Sequence, residues 1–321
     1  MDNKVIYKKT IKFSLWRLLW DVIAFAAFAG FAAAGFAVAN GTSDHALIGL
    51  AIGAVLGGVC AYLIIHFVAY TYKAGQIAMM TEGVVKGKLP EDTVAAGKKI
   101  VKERFATVAA YYVVTGAIRG VFKQIGAGIT AVGRAVGGDT GGTVGSTISG
   151  VIDTIVAYLC DCCLGWVFYR KNESATKATC EGAVLFFKHG KTLIKNLGRV
   201  FGISLLSFVV VGGVFFGISF LITQLMPGAM TELSQAIIET AEDASELPEF
   251  VYNVTSLSLV CSAIVGVIMW SMIQSVFVRP FILIGVLRNY IKSGIDDMPT
   301  ESEMKELDKK SEKFAKLHAG A

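Results

Sequence analysis

Four long apolar runs mark the chain, at approximately 13–39, 46–72, 199–225 and 252–278. A helix rises about 1.5 Å per residue and the hydrocarbon core of a bilayer is about 30 Å thick, so each run is long enough to cross. The middle of the chain follows another rule. From Val114, apolar residues recur at 118, 121, 125, 129, 132 and 136, in steps of three and four, which is one face of a helix. Thr115, Arg119, Lys123, Thr130 and Arg134 take the other side. A second amphipathic stretch follows. Val144, Ile148, Val151, Ile155, Leu159 and Cys162 make its apolar face, and Ser146, Ser149, Asp153, Ala157, Cys160 and Asp161 its polar or small one.

Glycine separates these two stretches, with Gly133, Gly137, Gly141 and Gly145 at every fourth position and a tight turn expected over 137–142. Folded as an antiparallel hairpin about residue 140, the two stretches bring Arg119 level with Asp161 and Lys123 near Asp153. Each arm is long enough to span, at 110–136 and 143–169. Six transmembrane helices are therefore expected, with four spans plus two interfacial amphipathic helices as the alternative.

Charge assigns the sides. Lys and Arg crowd residues 4–17, 73–104, 170–199 and 279–316 and are absent from 40–45, 137–142 and 226–251. The last of these loops instead holds Glu232, Glu239, Glu242, Asp243, Glu246 and Glu249. Under the positive-inside rule both termini are cytosolic. The expected layout is one membrane domain over 1–295, with a cytosolic segment at 73–104 and an acidic outer loop at 226–251, then a charged cytosolic tail helix at 296–321. Composition agrees with this class. The chain is 54% hydrophobic and 17% charged, against about 25% charged for a soluble domain. Mean hydropathy is +0.59. An all-α, polytopic integral membrane protein of a plasma membrane or bacterial inner membrane is expected. The apolar run near the N-terminus is too long for a secretory signal and reads as a retained first helix.

Small residues predict how the helices meet. Gly49, Gly53 and Gly57 form a ridge on the second span that allows close backbone approach, with Gly30 and Ala34 expected opposite. Gly133, Gly137 and Gly145 are assigned the same packing role in the hairpin. Pro280 is expected to kink the end of the last span. The tail opens with Thr300 and Glu303, a capping box. Its weak apolar face, Met304, Leu307, Phe314 and Leu317, suits a solvated or membrane-surface helix.

No enzyme signature emerges: the chain has no P-loop, no G-x-S-x-G and no H-E-x-x-H. The cysteines at 160, 162 and 163 lack the second separated pair of a zinc site and read as buried thiols. No metal and no cofactor is expected. The net charge of +5 is a topology signal, not a nucleic-acid footprint, because no basic patch is interleaved with aromatics. The candidate substrate pathway is the charged set Arg119, Lys123, Asp153 and Asp161, because ionisable groups at bilayer depth persist when paired or lining a wet path. Tyr158 and Trp270 join it as aromatic faces able to hold a cation.

From about residue 141 to 294 the layout resembles the C-terminal half of the choline-transporter-like family. The resemblance rests on the helix GGTVGSTISGVIDTIVAYL, the cluster CDCC, the segment ATCEGAVLFFKHGKTLIKN and the final SMIQSVFVRPFILIGVLRNYIKSG. The first half is similar to bacterial membrane proteins of unknown function. The resemblance implies an organic-cation transporter-like fold and carries over no binding residue. The expected function is a transporter or channel-like protein for a small polar or cationic solute, not an enzyme. The alternative is a non-catalytic, oligomeric membrane scaffold or assembly factor. Expected partners are the bilayer, anionic lipids at the basic cytosolic face and further copies of the chain.

Overall fold

The structure is a computed structural model. It describes residues 1–42, 46–105, 110, 112–121, 124, 142–241 and 247–320, with the backbone alone at 40, 42, 46–47, 142–155, 190–201 and 240. Every described regular element is helical. Helix α1 is Asn3–Thr42. Helix α2 runs from Ala46–Leu63 through a π-helical stretch, Ile64–Ala69, into Tyr70–Lys86. Helix α3 is Thr93–Arg104, α4 covers 112–121 and α5 is Gly142–Tyr169. Helix α6 joins Ala175–Ser207, a π stretch at Phe208–Gly212 and Gly213–Leu225. Helix α7 is Pro227–Thr240. Helix α8 joins Val254–Ile273, a π stretch at Gln274–Val278 and Arg279–Asp296. Helices α9, Glu301–Lys310, and α10, Glu312–His318, make the tail.

Local chemistry sets the ends. Asp92 caps α3 by accepting from the amide of Ala95, and Asn253 caps α8 through Ser256. Thr300 and Glu303 form the expected capping box, and Ser311 caps α10 through Phe314. Gly87, at φ +67, closes α2 in the left-handed region that glycine enters without a steric penalty. Pro280 does not break α8. The helix widens to π over Gln274–Val278, the turn that holds the carbonyls a proline ring would strike and leave unbonded.

Four helices among the described residues are long and apolar enough to cross a membrane: Asn3–Ala39, Ile48–Lys86, Gly202–Leu225 and Val254–Asp296. They match the four apolar runs of the sequence. Of the two further spans expected, 110–136 lies largely outside the described residues. In 143–169 only the shorter stretch Val156–Tyr169 is apolar among the residues whose side chains are described. Its side chains are buried inside the protein, Val156, Leu159, Cys163, Trp166 and Phe168 among them.

The chain divides by its contacts into two units. Unit 1 is Met1–Ser14, Thr71–Phe201 and Pro280–Ala321; unit 2 is Leu15–Tyr70 and Gly202–Arg279. Unit 2 turns its apolar side chains outward: Val55, Leu205 and Leu221 are 68%, 65% and 65% exposed. In water such a surface would aggregate; a bilayer accepts it. Inside unit 2, the ridge of Gly49, Gly53 and Gly57 meets α1 as expected, but at other residues. A methyl group on Gly49 would strike the carbonyl of Gly35, one on Gly53 that of Phe31, and one on Gly57 would lie 2.8 Å from the carbonyl of Phe28. Gly30 has nothing within 4 Å and points away. Gly133 and Gly137 lie outside the described residues, and Gly145 is on the backbone of α5.

Unit 1 closes an apolar core of its own. Ile6, Phe13, Met79, Met80, Trp166, Phe168 and Tyr290 are buried, while Lys4, Lys8, Lys9, Lys12, Lys99 and Lys102 are exposed. Helices α2 and α3 cross where Gly75 and Gly97 touch backbone to backbone beside the ring of Phe13. Gly294 on α8 receives the ring of Trp166 and the side chain of Leu185. The tail is exposed on its charged side and packs its apolar face inward. Met304, Leu307 and Phe314 are buried with Val121, Cys180, Ala183 and Val184, and Leu317 packs against them. The apolar face of α4 predicted from 114, 118 and 121 is the buried face.

Candidate functional site

The members of the charged set expected to line a pathway are placed as follows. Asp161 is buried on α5, and its carboxylate lies 2.8 Å from the ammonium of Lys73 on α2. Arg119, the partner expected from the hairpin, is exposed on α4. Lys123 and the side chain of Asp153 lie outside the described residues. Tyr158 is buried in unit 1, whereas Trp270 belongs to unit 2. Lys73 escapes a sequence reading because hairpin geometry offers Asp161 only its near neighbours. The one signal was that Lys73 opens the basic segment directly after an apolar run.

Unit 1 holds a second buried carboxylate that the sequence did not single out. Glu181 on α6 accepts from Arg170 at 2.7 and 2.9 Å and from the indole of Trp166 at 3.0 Å. Hydrogen bonding to Glu181 raises the pKa of Arg170, against the opposing effect of burial. Arg104 donates to the carbonyls of Glu173, at 2.7 Å, and Arg170, at 3.2 Å, just past the end of α5. Burial lowers the pKa of Arg104. Cations at these orphan carbonyls fasten the α5–α6 turn to α3. Beside it, Cys160, Cys162, Cys163 and Cys180 are buried in the core and belong to no disulfide. Burial pushes Cys180 up to about 12, so it stays a thiol at neutral pH. Among the described residues no group of His, Cys, Asp and Glu is disposed to hold a metal ion.

Unit 2 contains a polar seam at its π-helical stretches. Gln274 donates to the hydroxyl of Ser204 at 2.7 Å and accepts from Ser207 at 2.7 Å. The indole of Trp270 donates to Ser207 at 3.0 Å, and the ring of Phe208 stands edge-on to it. Arg17 on α1 reaches the same stretch of α8. It donates to the hydroxyl of Ser275 at 3.0 Å and to its carbonyl at 3.3 Å. A π turn leaves carbonyls without their usual helical partners, and Arg17 supplies one. About three to four turns nearer the start of α8, Ser262 and Ser258 are buried with hydroxyls that have no hydrogen-bond partner among the described residues. Between these groups Gly266 lies against the backbone of Gly212, so the seam is closed there by helix contact. These groups hold α1, α6 and α8 of unit 2 together. No family model, no curated protein and no solved structure matches this chain.

Proposed function

We propose that the protein is a non-catalytic membrane scaffold, a four-span anchor that holds a basic helical unit at the cytosolic face. One observation carries this reading. All 30 Lys and Arg except Arg17 and Arg279 fall within unit 1, which closes its own apolar core. Most of each of the four candidate spans falls in unit 2, whose loop acids Glu232, Glu239 and Glu249 have no basic residue nearby in sequence. Positive-inside sorting then puts unit 1 and both termini in the cytosol and the acidic loop outside. A basic surface held there attracts anionic lipid headgroups, by about 1 kcal/mol per Lys or Arg close to the surface. In nanodiscs, replacing zwitterionic with anionic lipid should raise Tm, and high salt should erase the gain. An identical Tm in the two lipids would remove the reading.

The polar seam of unit 2 favours a second reading, a transporter or channel-like protein with a path along α6 and α8. It predicts solute or ion flux in proteoliposomes that Gln274→Leu abolishes while the protein stays folded. Sealed proteoliposomes that pass neither ions nor small cations would leave the scaffold alone.

A further inference from the structure

The tail lies on unit 1 in the manner of a bound peptide. Its floor is Val121 from α4 with Cys180, Ala183 and Val184 from α6, and Met304, Leu307 and Phe314 fill it. Polar contacts fix both ends. Lys188 on α6 lies 2.6 Å from Asp297 and 2.8 Å from Glu303. The side-chain oxygen of Gln124 accepts from the hydroxyl of Ser311 at 2.8 Å and from the amide of Lys313 at 3.2 Å. The connector from α8 is exposed at Asp297, Met298 and Thr300, so the tail can lift without disturbing α8. His318 ties the two tail helices to each other through Asp308, at 2.9 Å, and Glu301, at 3.3 Å. The tail therefore has internal ties of its own, separate from its contacts with the floor.

We propose that this floor is a docking groove, that the tail is its resident occupant, and that the partner in trans is an acidic amphipathic helix. The inference rests on the scaffold reading and names its partner class. Recognition needs apolar side chains spaced as Met304, Leu307 and Phe314 are, with a carboxylate near the first to meet Lys188. The rest of unit 1 is basic, which favours an acidic helix over a basic one.

The test uses the full chain in nanodiscs with every cysteine but Cys180 replaced, and a fluorescent peptide of residues 297–320 as probe. Phe314→Asp ejects the tail by its own anchor and leaves the floor intact. This variant should bind the peptide roughly tenfold or more tighter than the parent, whose own tail competes. Cys180 should react with a thiol reagent in the variant and be protected again by added peptide. A peptide carrying Met304→Asp and Leu307→Asp should not bind. If Cys180 becomes reactive and no peptide binds, the groove is not a docking site. If Cys180 stays protected, the tail is fixed core and the proposal falls. Should Phe314→Asp fail to fold, Leu307→Asp loosens the tail from its own side and leaves the floor and Lys188 intact, and a gain in Cys180 reactivity that the unaltered peptide does not reverse sinks the idea equally. Nanodisc stabilisation by anionic lipid is read on the same samples. Its loss would count against the scaffold, while its persistence with no peptide binding counts against the groove alone.

Discussion

Glu181 shows what a buried charge does in this protein. Its carboxylate is 3% exposed and satisfies Arg170 and Trp166 together. Glu181→Leu should lower stability by about 3 kcal/mol, because it leaves a guanidinium and an indole without their acceptor. Arg170 keeps some solvent and its contact with Glu173, which holds the loss below the fully buried extreme. A thermal melt measures the loss, and red-shifted Trp166 emission reports the wetter indole. The tail adds a pH dependence. Burial alone would raise the pKa of Glu303, but hydrogen bonds from Lys188 and Thr300 outweigh it and hold the carboxyl below its usual range. Its contribution is complete above the unfolded pKa of about 4.3 and drains away as pH falls through the folded value. Hydrogen bonds to Asp297 and Glu303 raise the pKa of Lys188, so its share is complete below about 10.4 and is lost as pH rises through the folded value. A nitroxide at position 309 should be restrained at neutral pH and mobile in strong acid; a spectrum that does not change even in strong acid refutes this coupling. None of these pairs was legible in the sequence. Lys73 and Asp161, or Lys188 and Glu303, come from separate helices, and periodicity reports only which face a residue takes.

Helix faces, by contrast, were legible. The apolar stripe of α4, the capping box at Thr300 and the glycine ridge of α2 all appear where the sequence puts them. Each depends on neighbours within a few turns. What the ridge touches does not, and the expected Gly30 gives way to Phe28, Phe31 and Gly35. The ridge is therefore used within one chain. Gly53→Leu should destroy the α1–α2 contact and sharply lower the folded yield in detergent, whereas Gly30→Ala should be silent. A well-folded Gly53→Leu protein with altered oligomeric size would show instead that the ridge serves contacts between copies. The tail was misjudged because four apolar residues over two short helices make a weak stripe. The groove that receives them is assembled from α4 and α6, far away in sequence.

Charge distribution predicts a membrane topology that can be tested directly. In intact cells a cysteine at position 243 should react with an impermeant thiol reagent, and cysteines at 139 and 309 only after the cells are opened. Labelling of position 139 from outside would restore the six-span arrangement read from the hairpin and overturn the four-span one. Four candidate spans were legible because lipid imposes a length rule on every crossing. The division into units was not, since it depends on which side chains find one another. Unit 1 draws on three separate stretches of chain, Met1–Ser14, Thr71–Phe201 and Pro280–Ala321. Its floor at Cys180 and Val184 is synthesised well before Phe314, and at roughly 5–20 residues per second the interval is many seconds. During that time two spans must enter the bilayer while an apolar trough waits uncovered beside the ribosome. Nascent chains stalled before residue 304 should therefore expose that trough and be captured by chaperones or insertion factors more than chains stalled after residue 320.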